Sequence, residues 1–291
     1  MKQPIFTGVC TALVTPFLDG KVNYPMMEML LRRQIDAGVK AVVLCGTTGE
    51  SPTLSDEEKM TIFQRCKAYA GNDCTIIAGT GSNSTAHAVE LSRQAQAAGA
   101  DALLVVSPYY NKATPSGLLA HYLAIAGNVD IPIILYNVPS RTGVDMSVDV
   151  YRQLSFIPNI AGVKEASADI TKTARIRISC PEDFAVWSGN DDQIVPVMSL
   201  GGIGVISVLS NILPKETIAL TEAALGGDFD TASDLQCKLL PLIEALFSEV
   251  NPIPVKQAMQ LIGYDCGSCR LPLTDMTAEN CKKLTALLTQ N

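Results

Sequence analysis

Ile160-Ala161-Gly162-Val163-Lys164-Glu165-Ala166 is the stretch on which the fold turns. It is apolar and of strand length, bounded by Pro158-Asn159 before and Ser167-Ala168-Asp169 after, yet a lysine stands in its middle. Burial disfavours an ammonium relative to the free amine, so a lysine on a buried strand is disposed to attack a carbonyl carbon. The plain alternative is an edge strand whose lysine reaches water along its methylene stem. Alternation puts Gly162, Lys164 and Ala166 on one side and Val163 and Glu165 on the other. If Lys164 faces a barrel interior, its small neighbours leave room for a ligand and no carboxylate shares its face.

Working outward, similar runs occur at Gly8–Val14, Ala41–Gly46, Cys74–Gly81, Ala102–Pro108, Pro132–Pro139, Phe184–Gly189 and Gly204–Asn211. Most are continuous rather than alternating, as expected of parallel strands covered by helices on one side and filled on the other. The segments between them carry helical stripes, such as Met27, Leu30, Leu31 and Ile35, or Ala88, Leu91, Ala95 and Ala98. Ser55-Asp56-Glu57-Glu58 is a capping-box pattern, Pro115 and Pro214 suit first helical turns, and Gly38, Gly71, Gly99 and Gly127 stand where helices should stop. Eight such strand–helix units in about 225 residues predict an α/β fold, a (β/α)8 TIM barrel, for which about 250 residues is typical. The barrel is expected over residues 1–227. A C-terminal helical extension is expected over 228–291, with helices at Phe229–Val250, Ile253–Leu261 and Thr277–Thr289. A doubly wound open sheet uses the same units, but Gly79-Thr80-Gly81-Ser82-Asn83-Ser84 lacks the third glycine of a dinucleotide loop.

Composition narrows the function classes. The chain has 291 residues, 47% hydrophobic, 18% charged, with a net charge of -7, which argues against a nucleic-acid partner. No run of eighteen apolar residues marks a membrane span, and the opening Met1-Lys2-Gln3-Pro4 is no secretory leader, so a cytoplasmic protein is expected. The 9 cysteines are scattered and odd in number, which speaks against a disulfide framework. Cys266 and Cys269 have CxxC spacing without a second pair, and the only histidines are His87 and His121, so no metal is expected.

In a parallel barrel, catalytic groups gather from several strand ends at one mouth. The second run is followed by Gly46-Thr47-Thr48-Gly49-Glu50-Ser51, the fourth by Tyr109-Tyr110-Asn111, and the fifth contains Tyr136-Asn137 and leads to Ser140-Arg141-Thr142-Gly143. The sixth supplies Lys164, and the seventh ends at Ser188-Gly189-Asn190-Asp191. No histidine or cysteine sits there beside a suitable partner. What remains, a lysine with hydroxyls, glycine-flanked amides and one arginine, suits imine chemistry: an amine condenses with a keto acid, and the derived enamine attacks an aldehyde. Hydroxyls can relay protons, backbone amides can hold a carboxylate, and Arg141 can grip a second one through its planar fork. Taken singly, each tyrosine reads as a core or interface residue and Arg141 as a solvated charge. Gly201-Gly202-Ile203-Gly204 precedes the last strand and reads as a tight turn at the opposite end.

Six motifs carry a resemblance: Gly46-Thr47-Thr48-Gly49-Glu50, Pro108-Tyr109-Tyr110-Asn111, Tyr136-Asn137-Val138-Pro139-Ser140-Arg141-Thr142-Gly143, Gly162-Val163-Lys164-Glu165-Ala166, Gly204-Val205-Ile206-Ser207 and Asn251-Pro252-Ile253-Pro254. Through them nearly the whole chain resembles the dihydrodipicolinate synthases of lysine and diaminopimelate biosynthesis, among the pyruvate-dependent aldolases that include N-acetylneuraminate lyase. The resemblance implies a lyase, 4-hydroxy-tetrahydrodipicolinate synthase, joining pyruvate to L-aspartate 4-semialdehyde without a cofactor. It implies that Lys164 forms the Schiff base and that Tyr136, Thr47 and Tyr110 relay protons, with Tyr110 reaching a neighbouring subunit's site. Thr48 joins Thr47 on the keto-acid carboxylate, Arg141 takes the aldehyde's carboxylate, and the backbone at Gly189 and Ile206 lines the pocket. A homotetramer built as a dimer of dimers is implied as well. Neuraminate lyases, the rival class together with the keto-deoxy sugar acid aldolases, usually have serine in place of Thr47 and lack an arginine at position 141. Lysine-inhibited members bind lysine near Ser51, Asn83 and Tyr109, with a glutamate where this chain has His87 and often a histidine where it has Lys59. Weak or absent inhibition is therefore expected. A silent ligand-binding barrel is the reading of a different class, disfavoured because the hydroxyl relay is complete.

Overall fold

Each apolar run becomes a parallel strand in the computed structural model, which describes residues 2–289. In chain order, β1 (Gly8–Ala12) is followed by a small antiparallel hairpin, β2 (Phe17–Leu18) and β3 (Lys21–Val22). Then come α1 (Tyr24–Ala37), β4 (Ala41–Leu44), α2 (Asp56–Ala70), β5 (Thr75–Gly79), α3 (Thr85–Ala97), β6 (Ala102–Val106) and α4 (Pro115–Ala126). β7 (Ile133–Asn137), the one-turn α5 (Pro139–Thr142), α6 (Val148–Leu154), β8 (Ile160–Glu165) and α7 (Ile170–Ser179) follow. β9 (Ala185–Ser188), α8 (Ile194–Ser199), β10 (Gly204–Ser207) and α9 (Pro214–Leu225) complete the circuit. The strands close in the order β1-β4-β5-β6-β7-β8-β9-β10, and β1 pairs with both β4 and β10. The (β/α)8 barrel is thus as the sequence predicts.

The local signals act as expected. The Ser55 hydroxyl accepts from Glu58 N at 3.1 Å while Glu58 Oε2 accepts from Ser55 N at 2.9 Å, closing the capping box of α2. Pro115 and Pro214 open α4 and α9. Gly201 and Gly202 cap α8, donating to Met198 O and Val197 O, so they form the tight turn and not a ligand loop.

Two apolar layers surround the strands. The inner one, including Val43, Ile77, Leu104, Ile134, Trp187 and Ile206, fills the barrel. The outer one joins strands to helices and runs without a break into the C-terminal helices through Leu239, Leu242, Ile243 and Leu246. Those helices are α10 (Phe229–Leu246), α11 (Ile253–Leu261) and α12 (Ala278–Leu288). β8 is fitted into the sheet by a register shift between Ile133 and Ile134 of its neighbour, where Ile134 pairs with Gly162. A Cβ on Gly162 would lie 2.1 Å from Ala185 O, so only glycine lets β8 lie against β9 there.

The strands are shorter than the predicted runs, and the last is shortened most. Gly204–Asn211 remains a strand only to Ser207, because Asp191 Oδ2 accepts both Val208 N and Leu209 N at 2.9 Å, and a 3-10 turn follows at Leu209–Asn211.

Candidate active site

The turn after β4 winds on itself: Gly49 N and Ser51 N donate to Gly46 O, and Glu50 N donates to Thr47 O. Thr15 Oγ1 donates to Gly49 O at 2.7 Å and pins the turn to the chain after β1. Its carbonyls are thereby used, while the backbone N–H groups of Thr47 and Thr48 have no acceptor among the described residues. Two free amides flanked by two hydroxyls make a small anion cradle.

Across from this turn stands Lys164, on the inward face of β8 with Gly162 and Ala166, the condition on which the sequence reading depended. Its strand register pairs it with Tyr136 on one side and Trp187 on the other, and it is 5% exposed. Its Nζ lies 4.5 Å from the centroid of the Tyr136 ring. The ammonium, the Tyr136 hydroxyl and the Thr47 hydroxyl make no hydrogen bond among the described residues. A cavity of about 150 Å³ brings together Thr47, Thr48, Tyr136, Arg141, Lys164 and Gly189. Gly189 is needed bare, since a Cβ there would fall 2.5 Å from the Ala166 methyl.

The remaining expectations divide. Arg141, on α5, borders the cavity and donates Nη2 to Asn251 O at 3.4 Å. Ile206 lies within the barrel packing, and Val208, two residues on, borders the cavity. Tyr110 is 84% exposed with left-handed backbone (φ 75) and borders no cavity described here, so this one chain does not bring it to Lys164.

No carboxylate shares the strand face of Lys164, as expected, but one stands at the neighbouring strand end, which the expectation did not cover. Asp191, fully buried after β9, is within electrostatic reach. Burial raises its pKa, opposed by bonds from Ser207, Leu209 and Val208 and by the Lys164 charge. On the outward face, Glu165 is held by Asn137 Nδ2 at 3.0 Å, the Tyr151 hydroxyl at 2.9 Å and Ser167 N at 2.8 Å. These bonds fix the strand pair that carries Tyr136 and Lys164.

A second cavity of about 510 Å³ shares Thr47, Tyr136, Arg141 and Asn251 with the first. Ser51, Lys59, His87 and Tyr109 border it as grouped from the sequence; Asn83 is exposed and off its wall, with Ser82 there instead. His87 binds Ser82 Oγ through Nδ1 at 3.2 Å and Asp56 Oδ2 through Nε2 at 2.9 Å, and Lys59 Nζ lies 3.7 Å from Asp56 Oδ1. The His87 hydrogen bond is foremost in holding the Asp56 carboxyl below its ordinary range.

Sequence reading missed Lys256 and the roles of Asp56, Asp191, Glu50 and Asn251. These four lay inside quoted stretches whose spacing does not show their partners, whereas Lys256 is a charged residue of an ordinary helical segment. Cys266 and Cys269 carry free thiols whose pKa burial pushes up to about 12. No described helix is long and apolar enough to cross a membrane.

Known proteins resemble this chain over nearly its full length. The profile of the dihydrodipicolinate synthetase family matches residues 5–291. The 4-hydroxy-tetrahydrodipicolinate synthase of Thermoanaerobacter sp. (strain X514) is 49% identical over 289 residues, 99% of this chain and 97% of that protein. The crystal structure of dihydrodipicolinate synthase from Aquifex aeolicus superposes with a TM-score of 0.97 at 44% identity, over 98% of both chains. That of the Cyanidioschyzon merolae enzyme with lysine bound gives 0.96 at 42% identity, over 99% of this chain and 98% of that one. With one profile spanning nearly every residue and relatives close to half identical end to end, the chain belongs to the dihydrodipicolinate synthetase family.

Proposed function

We propose that this chain is a lyase condensing pyruvate with L-aspartate 4-semialdehyde to 4-hydroxy-tetrahydrodipicolinate, through a Schiff base on Lys164. The observation that carries the reading is the placement of an unbonded, buried lysine amine at a cavity that also holds two free backbone amides. In the proposed course the pyruvate carboxylate lies on the Thr47 and Thr48 amides and hydroxyls, and the Lys164 amine adds to the keto carbon. Loss of water gives a protonated imine, an electron sink that lowers the cost of removing a methyl proton. Tyr136 and Thr47, with Tyr110 of a neighbouring copy, shuttle that proton. The enamine attacks the aldehyde carbon while Arg141 holds the second carboxylate. The amino group of the product then displaces Lys164 from the imine carbon, closing the ring and freeing the lysine. One water is released for each pair of substrates joined.

Arg141 and Thr47 favour aspartate semialdehyde over a sugar aldehyde, and no feature of the cavity favours the sugar-acid aldolase reading. We further infer a cytoplasmic homotetramer made of two tight dimers, which would give the exposed Tyr110 its place in a partner's site. Borohydride added with pyruvate should leave the mass of a reduced pyruvyl adduct on the peptide bearing Lys164. An active protein that yields no such adduct would remove the mechanism. Turnover with the sugar aldehyde but not with aspartate semialdehyde would replace the substrate assignment.

A further inference from the structure

Three groups of residues 228–291 end on the Gly46–Glu50 turn. Asn251, buried between α10 and α11, donates Nδ2 to Thr48 Oγ1 at 3.0 Å, and its backbone oxygen is the acceptor of Arg141. Lys256, on α11, donates Nζ to Glu50 Oε1 at 2.9 Å and to Ser268 O at 3.1 Å. The backbone N–H of Arg270 donates to Glu50 Oε2 at 2.8 Å. The two side chains of the ion pair are 3% and 1% exposed.

A buried ion pair is a poor way to gain stability, because desolvating both charges consumes most of their attraction, and apolar side chains of the same size often do better. What such a pair does supply is geometry. Glu50 has left-handed backbone, φ 57, which a residue with a Cβ adopts only when its surroundings enforce it. The conformation directly follows Thr47-Thr48-Gly49, so the bonds to both Glu50 oxygens also determine how the two threonine amides are presented.

We propose that Glu50 and Lys256 are positioning residues for the keto-acid carboxylate. The C-terminal extension, through this ion pair and the Asn251 contact to Thr48, sets the turn on which the first substrate rests. This rests on reading the Lys164 cavity as the keto-acid site. It assigns the extension a part in the affinity for one substrate and not the other, since Arg141 is tied to a backbone oxygen that survives side-chain replacement.

The test is steady-state kinetics on full-length Lys256→Met, Glu50→Gln/Lys256→Met and Asn251→Ala, with melting temperature and borohydride trapping at sub-saturating pyruvate measured alongside. The loss of one hydrogen bond to a charged group predicts a rise in the pyruvate KM of about tenfold. The aldehyde KM should stay within about twofold and trapping should slow in step with the pyruvate KM. Lys256→Met leaves the buried Glu50 carboxylate without its counter-charge, held only by Arg270 N, and lowers the melting temperature. The double variant removes that charge and should recover melting temperature without recovering the pyruvate KM. Should Lys256→Met not fold, the double variant and Asn251→Ala carry the test. An unchanged pyruvate KM in folded variants, a KM that recovers with melting temperature, or both KM values and kcat moving together would overturn the proposal. Failure of the wild type to form the pyruvate adduct would instead overturn the reading of the site.

Discussion

Lys164 and Glu165 are chain neighbours with opposite surroundings. The lysine points into the barrel with no hydrogen bond of its own among the described residues. The glutamate points outward and is saturated by Asn137, Tyr151 and Ser167. Alternation made their opposition legible, because successive strand residues take opposite sides, but which side faces the barrel stayed open in the sequence. Apart from the near neighbour Ser167, the partners of Glu165 were not legible, because they come from β7 and α6 and meet only when the sheet is formed. If Tyr136 relays protons, Tyr136→Phe should lower kcat by about 10²- to 10⁴-fold while the melting temperature stays close to that of the wild type, as stopped assays and thermal melts would read. At the second cavity, Asp56 is engaged by His87 and Lys59, so a lysine ligand would meet an ammonium and no free carboxylate. Lysine is expected to inhibit weakly or not at all, and half-maximal inhibition at micromolar lysine would contradict this.

At the scale of single elements, the strands were legible because eight continuous apolar runs admit few other readings, and the helices because caps and stripes agreed. The β2–β3 hairpin was not, since two-residue strands leave no periodicity to read. The early end of β10 was hidden too, because its cause is a carboxylate from the previous strand end. Helix α4 carries a pH-sensitive group of its own. His121 is buried, with Nδ1 2.9 Å from Thr85 Oγ1 and Nε2 without a partner among the described residues, and burial lowers its pKa from 6.5 to about 4. A proton therefore binds the unfolded chain more readily than the native one. His121 costs stability as pH falls from 6.5 through about 4, and adds no further loss below that. Denaturant melts of His121→Gln should lose stability less steeply over that window than those of the wild type, and equal slopes would count against a buried neutral histidine.

For the molecule as a whole, the helices after α9 share the core of the barrel. α10 buries Leu239, Leu242, Ile243 and Leu246 in the same outer layer that covers the strands, and Gln236 donates to Asp191 O at 2.9 Å beside the cavity. The sequence displayed the helices of the extension but not their docking, because an amphipathic stripe names no partner. Leu246→Ala should cost about 2–5 kcal/mol of unfolding free energy, as for other fully buried leucines. Removal of residues 228–291 should abolish the cooperative thermal transition; a truncated barrel that still melts sharply would make the extension a separable unit. The ring closure has a temporal consequence. Gly8 pairs with Gly204, so the barrel strand made first takes one of its two neighbours from the barrel strand made last. Until Gly204–Ser207 leaves the exit tunnel, β1 and the newest strand are both bare apolar edges, open to pairing with other nascent chains. The helices after β10 emerge later still, so they cannot cover these edges before the ring closes.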